Sequence, residues 1–169
     1  MLELIAFALI LGFVLIIFVR RTTSNVALEA DAERARGDEE IQVLRRMPGR
    51  AFESMLRELV ESLGLRIVEV RWVNDEEIDI LANNPAPVIG GEYIVHGILV
   101  PEGDFVSSIR VIGLSDTVRA ERALKGILIT TGYFTEEVQK YAEGAPMELI
   151  NVSRLREILK ENGILWPAA

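Results

Sequence analysis

The chain has 169 residues, half of them apolar, with 26 acidic residues against 18 basic ones and a net charge of −8. That length holds one domain plus appendages rather than two full domains, and the negative balance gives the protein as a whole no electrostatic pull toward nucleic acid. The absence of cysteine excludes disulfides, thiolate zinc sites and a cysteine nucleophile, and a single histidine, His96, excludes multi-histidine metal sites.

Residues 4–19, LIAFALILGFVLIIFV, carry no charge. At about 1.5 Å per residue this run falls slightly short of a ~30 Å hydrocarbon core, with Met1 and Leu2 extending it and Arg20 and Arg21 able to snorkel. A cleaved secretory signal would place positive charge ahead of the apolar run, whereas Glu3 stands there and the arginine pair follows. The expectation is one transmembrane helix over 1–21, in the inner membrane, with the body of the protein in the cytoplasm on the arginine side. Alanine and charge dominate 22–47, Gly37-Asp38 interrupts it, and no broad apolar stripe runs through it. This segment reads as a charged helical stalk or linker. Met47-Pro48-Gly49 closes it, and the folded domain is expected over 48–169.

Phe52, Met55, Leu56, Leu59, Val60 and Leu63 recur at helical spacing, and Gly64 follows as a stop. Strands are predicted over 65–73, 78–82 and 93–100, the last two separated by a Pro/Gly-rich stretch from Asn83 to Gly91 that forms either a lid or a long hairpin loop. Pro101 to Asp104 is a turn. Residues 106–123 are partly helical, with Ile109, Ile112 and Val118 as core candidates. A buried strand over 127–130, a helix over 135–142, a strand over 147–150 and a helix over 153–161 complete the order α-β-β-β-α-β-α-β-α. The fold class is α/β, a mixed sheet flanked by helices.

The segments GRAFESMLRELVESLGLRIVEV, IDILA, YIVHGILV, ALKGILITTGYFTEEVQKYAEG and MELINVSRLREIL, in this order, resemble the Mrr-type restriction endonuclease domain, a branch of the PD-(D/E)xK nuclease superfamily. The resemblance spans about residues 48–162. It implies a restriction-endonuclease-like fold and metal-assisted phosphodiester hydrolysis, usually with magnesium, on DNA. That chemistry uses an aspartate on one strand and an acid or glutamine two residues before a lysine on the next. Side chains two apart on a strand share a face and can converge on one ion and one water.

Transferred residue by residue, the aspartate falls on Asp79, and the Gln/Glu-x-Lys falls on His96-Gly97-Ile98. Asp79 and His96 thus occupy the family's catalytic positions in degenerate form. Histidine is a poor magnesium ligand, and isoleucine neither donates a proton nor offsets negative charge. Glu53 on the first helix matches a position where relatives carry a supporting acid, which makes Asp79 and Glu53 the residual metal-ligand candidates. Two readings of Asp79 stay open, a relic of the site and a solvated strand residue beside Glu76 and Glu77. His96 reads more simply as a hydrogen-bonded core residue than as a catalyst. Lys125 is the only lysine near a matched motif, and it precedes a structural strand.

The expected function is a membrane-tethered binding or scaffolding module that has lost nuclease activity, with DNA or a protein as partner and no cofactor. One alternative is an active magnesium-dependent DNA endonuclease with a displaced lysine. The other is a membrane-surface adaptor unrelated to DNA. A basic groove formed by Arg71, Arg110 or Arg119 would favour DNA, and a neutral or acidic groove a protein partner.

Overall fold

The computed structural model describes residues 37–88, 90–100 and 105–166. The expected transmembrane segment, 1–21, and the stalk as far as residue 36 lie outside the described residues. Among the described residues no helix is long and apolar enough to cross a membrane.

Residues 37–45 are helical. The elements that follow are α1 (Gly49–Ser62), β1 (Arg66–Trp72), β2 (Glu77–Asn84), β3 (Gly91–Ile98), β4 (Phe105–Val106), α2 (Ser108–Ala120), β5 (Lys125–Thr130), β6 (Tyr133–Phe134), α3 (Glu136–Glu143), β7 (Met147–Ile150) and α4 (Val152–Glu161). The mixed sheet expected from the sequence is present, in the order β1-β2-β3-β5-β7, and β4 and β6 form a separate two-stranded ribbon. Pairs β1–β2 and β2–β3 are antiparallel, while β3–β5 and β5–β7 are parallel. The parallel pairs need crossovers, which α2 and α3 supply.

Each face of the sheet carries its own core. Strand alternation sends Ile78, Ile80, Ala82, Val95, Ile127 and Ile129 to one face, where they pack with Phe52, Leu56 and Leu59 of α1 and Leu155 and Leu159 of α4. Ile94, Ile98 and Leu128 point to the other face, against Val111, Leu114 and Val118 of α2 and Val138 of α3. Strand β5 lies between β3 and β7 and is buried on both sides, so it reads as a continuous apolar run. Gly97 lets α1 approach closely. A Cβ there would fall inside van der Waals distance of Leu56 Cδ1 and lie 2.8 Å from Ile78 Cγ2.

Three expectations change. Ile109 and Ile112, read as core, are 78% and 40% exposed, because α2 turns Val111, Leu114 and Val118 inward instead. Leu63 is also exposed, at the very end of the apolar stripe of α1. The packed core reaches back ahead of Pro48: Leu44 is fully buried and Met47 nearly so. Arg45 Nε donates to the Thr131 carbonyl at 3.3 Å, and its guanidinium lies 5.1 Å from the centre of the Tyr133 ring. Glu40 pairs with Lys160 at 2.6 Å. Residues 40–47 therefore pack as part of the domain.

The Pro/Gly-rich stretch closes the β2–β3 hairpin. Asn84 pairs with Gly91, and the Asn84 side chain accepts from the Ala86 amide at 3.0 Å. Asn84 is about 17 Å of strand from Asp79, so the loop begins at the far end of the hairpin from the candidate site.

Candidate functional site

Antiparallel register sets Arg71 opposite Asp79, and Asp79 opposite His96. The three side chains form a row across β1, β2 and β3 on the face covered by α2. The Asp79 Oδ1 to His96 Nδ1 distance is 2.6 Å. An ionised carboxylate only accepts hydrogen bonds, so this contact puts the imidazole proton on Nδ1. His96 Nε2 then faces Glu77 Oε2 at 3.5 Å, and Arg71 Nη2 reaches Asp79 Oδ2 at 3.4 Å. Burial pushes the Asp79 carboxyl up. The hydrogen bond and attraction of His96, followed by those of Arg71, outweigh this and hold it below its ordinary value.

From α2, Arg110 Nη2 pairs with Glu77 Oε1 at 3.0 Å. Glu77 and Asp79 are two apart on β2 and so share a face, which carries Glu77 into the same network. The Glu77 side chain is 14% exposed. Reading Glu77 as solvated missed this, although its spacing from Asp79 was the available signal. Arg119 pairs instead with Asp116 on the exposed surface of α2, at 3.8 Å.

Ile98, placed by the resemblance where the family has its lysine, lies two residues beyond His96 on β3. It is fully buried in the α2-side apolar cluster, beside Val100, Val106 and Val111. Lys125 does not stand in for it. It lies opposite Tyr93, three residues along β3 from His96 and on the other face, and its ammonium pairs with Glu148.

Glu53 is held on the α1 side of the sheet. Its Oε2 accepts from Trp72 Nε1 at 2.7 Å and its Oε1 from Arg57 at 2.8 Å; these two bonds hold its carboxyl below the ordinary value. Trp72 packs into the α1-side core, one residue out of phase with Arg71. Asp79 and Glu53, the two metal-ligand candidates, are therefore on opposite faces and do not meet. Among the described residues no group of three or more histidine, aspartate or glutamate side chains is arranged to hold a metal ion. With Asp79 Oδ1 taken by His96 and Glu77 Oε1 by Arg110, the donor set does not fit a hard divalent cation.

Two adjoining clefts of about 300 and 280 Å³ lie between this row and α2, sharing Asp79, Ile94 and Thr117. Their charged lining is Glu69, Glu77, Asp79, Glu92 and Glu121 against Arg71 and Arg110, with His96. The groove is acidic.

The family model Mrr_cat, described as a restriction endonuclease, matches residues 44–159. The chain belongs to the Mrr_cat restriction endonuclease family. This is the family that the residues themselves suggested, and the match begins at Leu44, the first residue of the fully buried core. Among solved structures, this Mrr_cat chain is similar to the DNA modification-dependent restriction endonuclease AspBHI, with 17% identity and a TM-score of 0.57, over 75% of this chain and 35% of that one. It is also similar to the MspJI restriction endonuclease in complex with a 27-mer oligonucleotide, with 19% identity and a TM-score of 0.44, over 82% of this chain and 30% of that one. The chain spans about a third of the length of these proteins. The AspBHI likeness establishes the restriction-endonuclease fold. No curated protein sequence matches the chain.

Proposed function

We propose that this Mrr_cat chain is a membrane-tethered binding module in which the restriction-endonuclease fold is kept and metal-dependent cleavage is lost. The observation that carries the reading is Ile98, fully buried among apolar side chains where the family's lysine would stand. The hydrogen bond of Asp79 with His96 and the ion pair of Glu77 with Arg110 support it, since each satisfies a carboxylate with a protein partner rather than leaving it open to an ion. The acidic groove supports a protein partner over DNA at this face, because unneutralised carboxylates repel a phosphate backbone. The tether rests on the sequence alone, on the apolar run 4–19 and the arginine pair that follows it.

A second reading, an active DNA endonuclease, draws on the family and on the same surplus of carboxylates, two of them, Glu77 and Asp79, on one strand face. One experiment separates the two. The full chain in detergent is titrated with magnesium and then manganese, and thermal stability and duplex-DNA cleavage are followed on the same sample. The binding-module reading expects no metal-dependent rise in melting temperature and no cleavage. Metal-dependent cleavage that Asp79→Ala abolishes without unfolding the protein would overturn it.

A further inference from the structure

Strand β1 ends the five-stranded sheet; its inner edge pairs with β2, and no described strand pairs with its outer edge. An open edge is a template for another strand, and proteins commonly blunt it with lysine, proline or like charges. Val68 to Trp72 reads Val-Glu-Val-Arg-Trp and carries no lysine or proline. Val68 is 60% exposed, and the register shift between Ile67 and Glu69 makes it a bulge that ends the regular part of the edge. Glu69 and Arg71 straddle Val70, have opposite signs, and both point to the cleft side of the sheet.

We propose that β1 pairs antiparallel with β1 of a second copy of this chain, about a two-fold axis perpendicular to the sheet and midway between the two Val70 residues. Such an interface is isologous, so each contact occurs twice. Val70 then faces Val70 of the partner subunit. Glu69 faces Arg71 of the partner subunit, and Arg71 faces Glu69 of the partner subunit. Every opposed pair is apolar with apolar or acid with base, and directly opposed unlike charges stabilise an antiparallel pair. Neighbouring registers fail this match. An axis through Glu69 opposes it to Glu69 of the partner subunit, and an axis through Arg71 opposes it to Arg71 of the partner subunit. Charge complementarity thus selects one register and one occupant, a second copy.

The pairing also adds to the cleft rim. Arg71 touches Asp79 only at 3.4 Å from a side chain that is 70% exposed, and a guanidinium has five N–H donors. The partner's Glu69 takes donors left over at the same guanidinium. Each copy therefore supplies a carboxylate to the edge of the other's groove. This inference does not depend on whether the site cleaves, since it uses only the edge strand.

The absence of cysteine makes the test direct. Val70→Cys is introduced into the full chain in detergent and oxidised mildly, with Glu143→Cys, exposed on α3, as the comparison. The axial position is expected to form a disulfide-linked dimer at concentrations where the α3 position does not. In the Val70→Cys background, Glu69→Arg and Arg71→Glu should each slow cross-linking about tenfold, and the two together should restore it. Sedimentation equilibrium of the cysteine-free chain and its Glu69→Arg variant checks the same point without a disulfide, with weaker self-association expected in the variant. Cross-linking at residue 70 no faster than at residue 143 would overturn the proposal, as would a charge swap that fails to recover what the single reversals lose.

Discussion

Asp79 and His96 face each other across β2 and β3, and their side chains meet at 2.6 Å with Arg71 behind the carboxylate and Glu77 beyond the imidazole. Asp79 is thus one link in a run of polar contacts from Arg71 to Arg110. Its energetic role follows from its depressed carboxyl.

A carboxyl lowered on folding contributes stability above its unfolded value and loses it as pH falls through the folded one. For Asp79 the contribution is complete above the ordinary value of 3.8 and fades below it. His96→Ala should cost about 1–3 kcal/mol at pH 7, the range for a hydrogen bond to a charged group left without its partner. Urea melts of both proteins from pH 7 downward should show the difference narrowing below pH 3.8. A difference that stays constant to lower pH would remove Asp79 as its source.

Ile98→Lys tests the buried position directly. An ammonium at this position is forced into the apolar cluster that holds Val100, Val106 and Val111, and the carboxylate opposite it on β2, Glu77, is already paired with Arg110. The expected loss is about 3 kcal/mol or more, with no metal-dependent cleavage gained. Chemical denaturation and a duplex-DNA assay on the variant check both halves. A stable variant that cuts DNA would mean that the side chain turns out of the core and completes a site.

Gly97→Ala should destabilise by about 1–3 kcal/mol, since the new methyl meets Leu56 and Ile78. Pairing it with Leu56→Val should recover part of that loss, because the closest obstruction is the Leu56 Cδ1 methyl. Equal losses in the single and double variants would place the strain elsewhere, in the backbone of β3.

Leu44→Ala should cost about 2–5 kcal/mol, the range for emptying a fully buried leucine site. A stalk residue outside the core would lose less than about 0.5 kcal/mol on the same change. Thermal or urea melts of the full chain decide between the two values.

The elements most legible in the sequence were those whose burial is periodic over a long stretch. The stripe from Phe52 to Val60 made α1 plain, and the unbroken apolar run of β5 marked a buried strand. Helix α2 was obscure for a physical reason: it buries Val111, Leu114 and Val118 while leaving Ile109 and Ile112 exposed, so no single apolar face stands out. Leu44 and Met47 were missed because two anchors in an otherwise charged segment make no period. At the candidate site, Asp79 and His96 were visible by alignment with a family pattern, but their contact depends on cross-strand register. Arg110 comes from a different element altogether, and pairing across such a distance leaves no mark in local spacing. Glu53 shows the reverse case, a plausible acid on the right helix that the α1 face carries away from Asp79.

The sheet's connectivity divides the candidate site into parts joined over different lengths of chain. Arg71, Asp79 and His96 sit on strands joined by short antiparallel returns, so their row needs only neighbouring segments to form. Arg110 and the apolar cover over Ile98 arrive by the longer connection through α2. Local opening of α2 would therefore break the Glu77–Arg110 tie and wet the cleft while the row beneath stays assembled. The groove is thus walled by α2 and floored by the strands, and a partner that inserts there touches both a late-joined helix and an early, locally paired sheet edge.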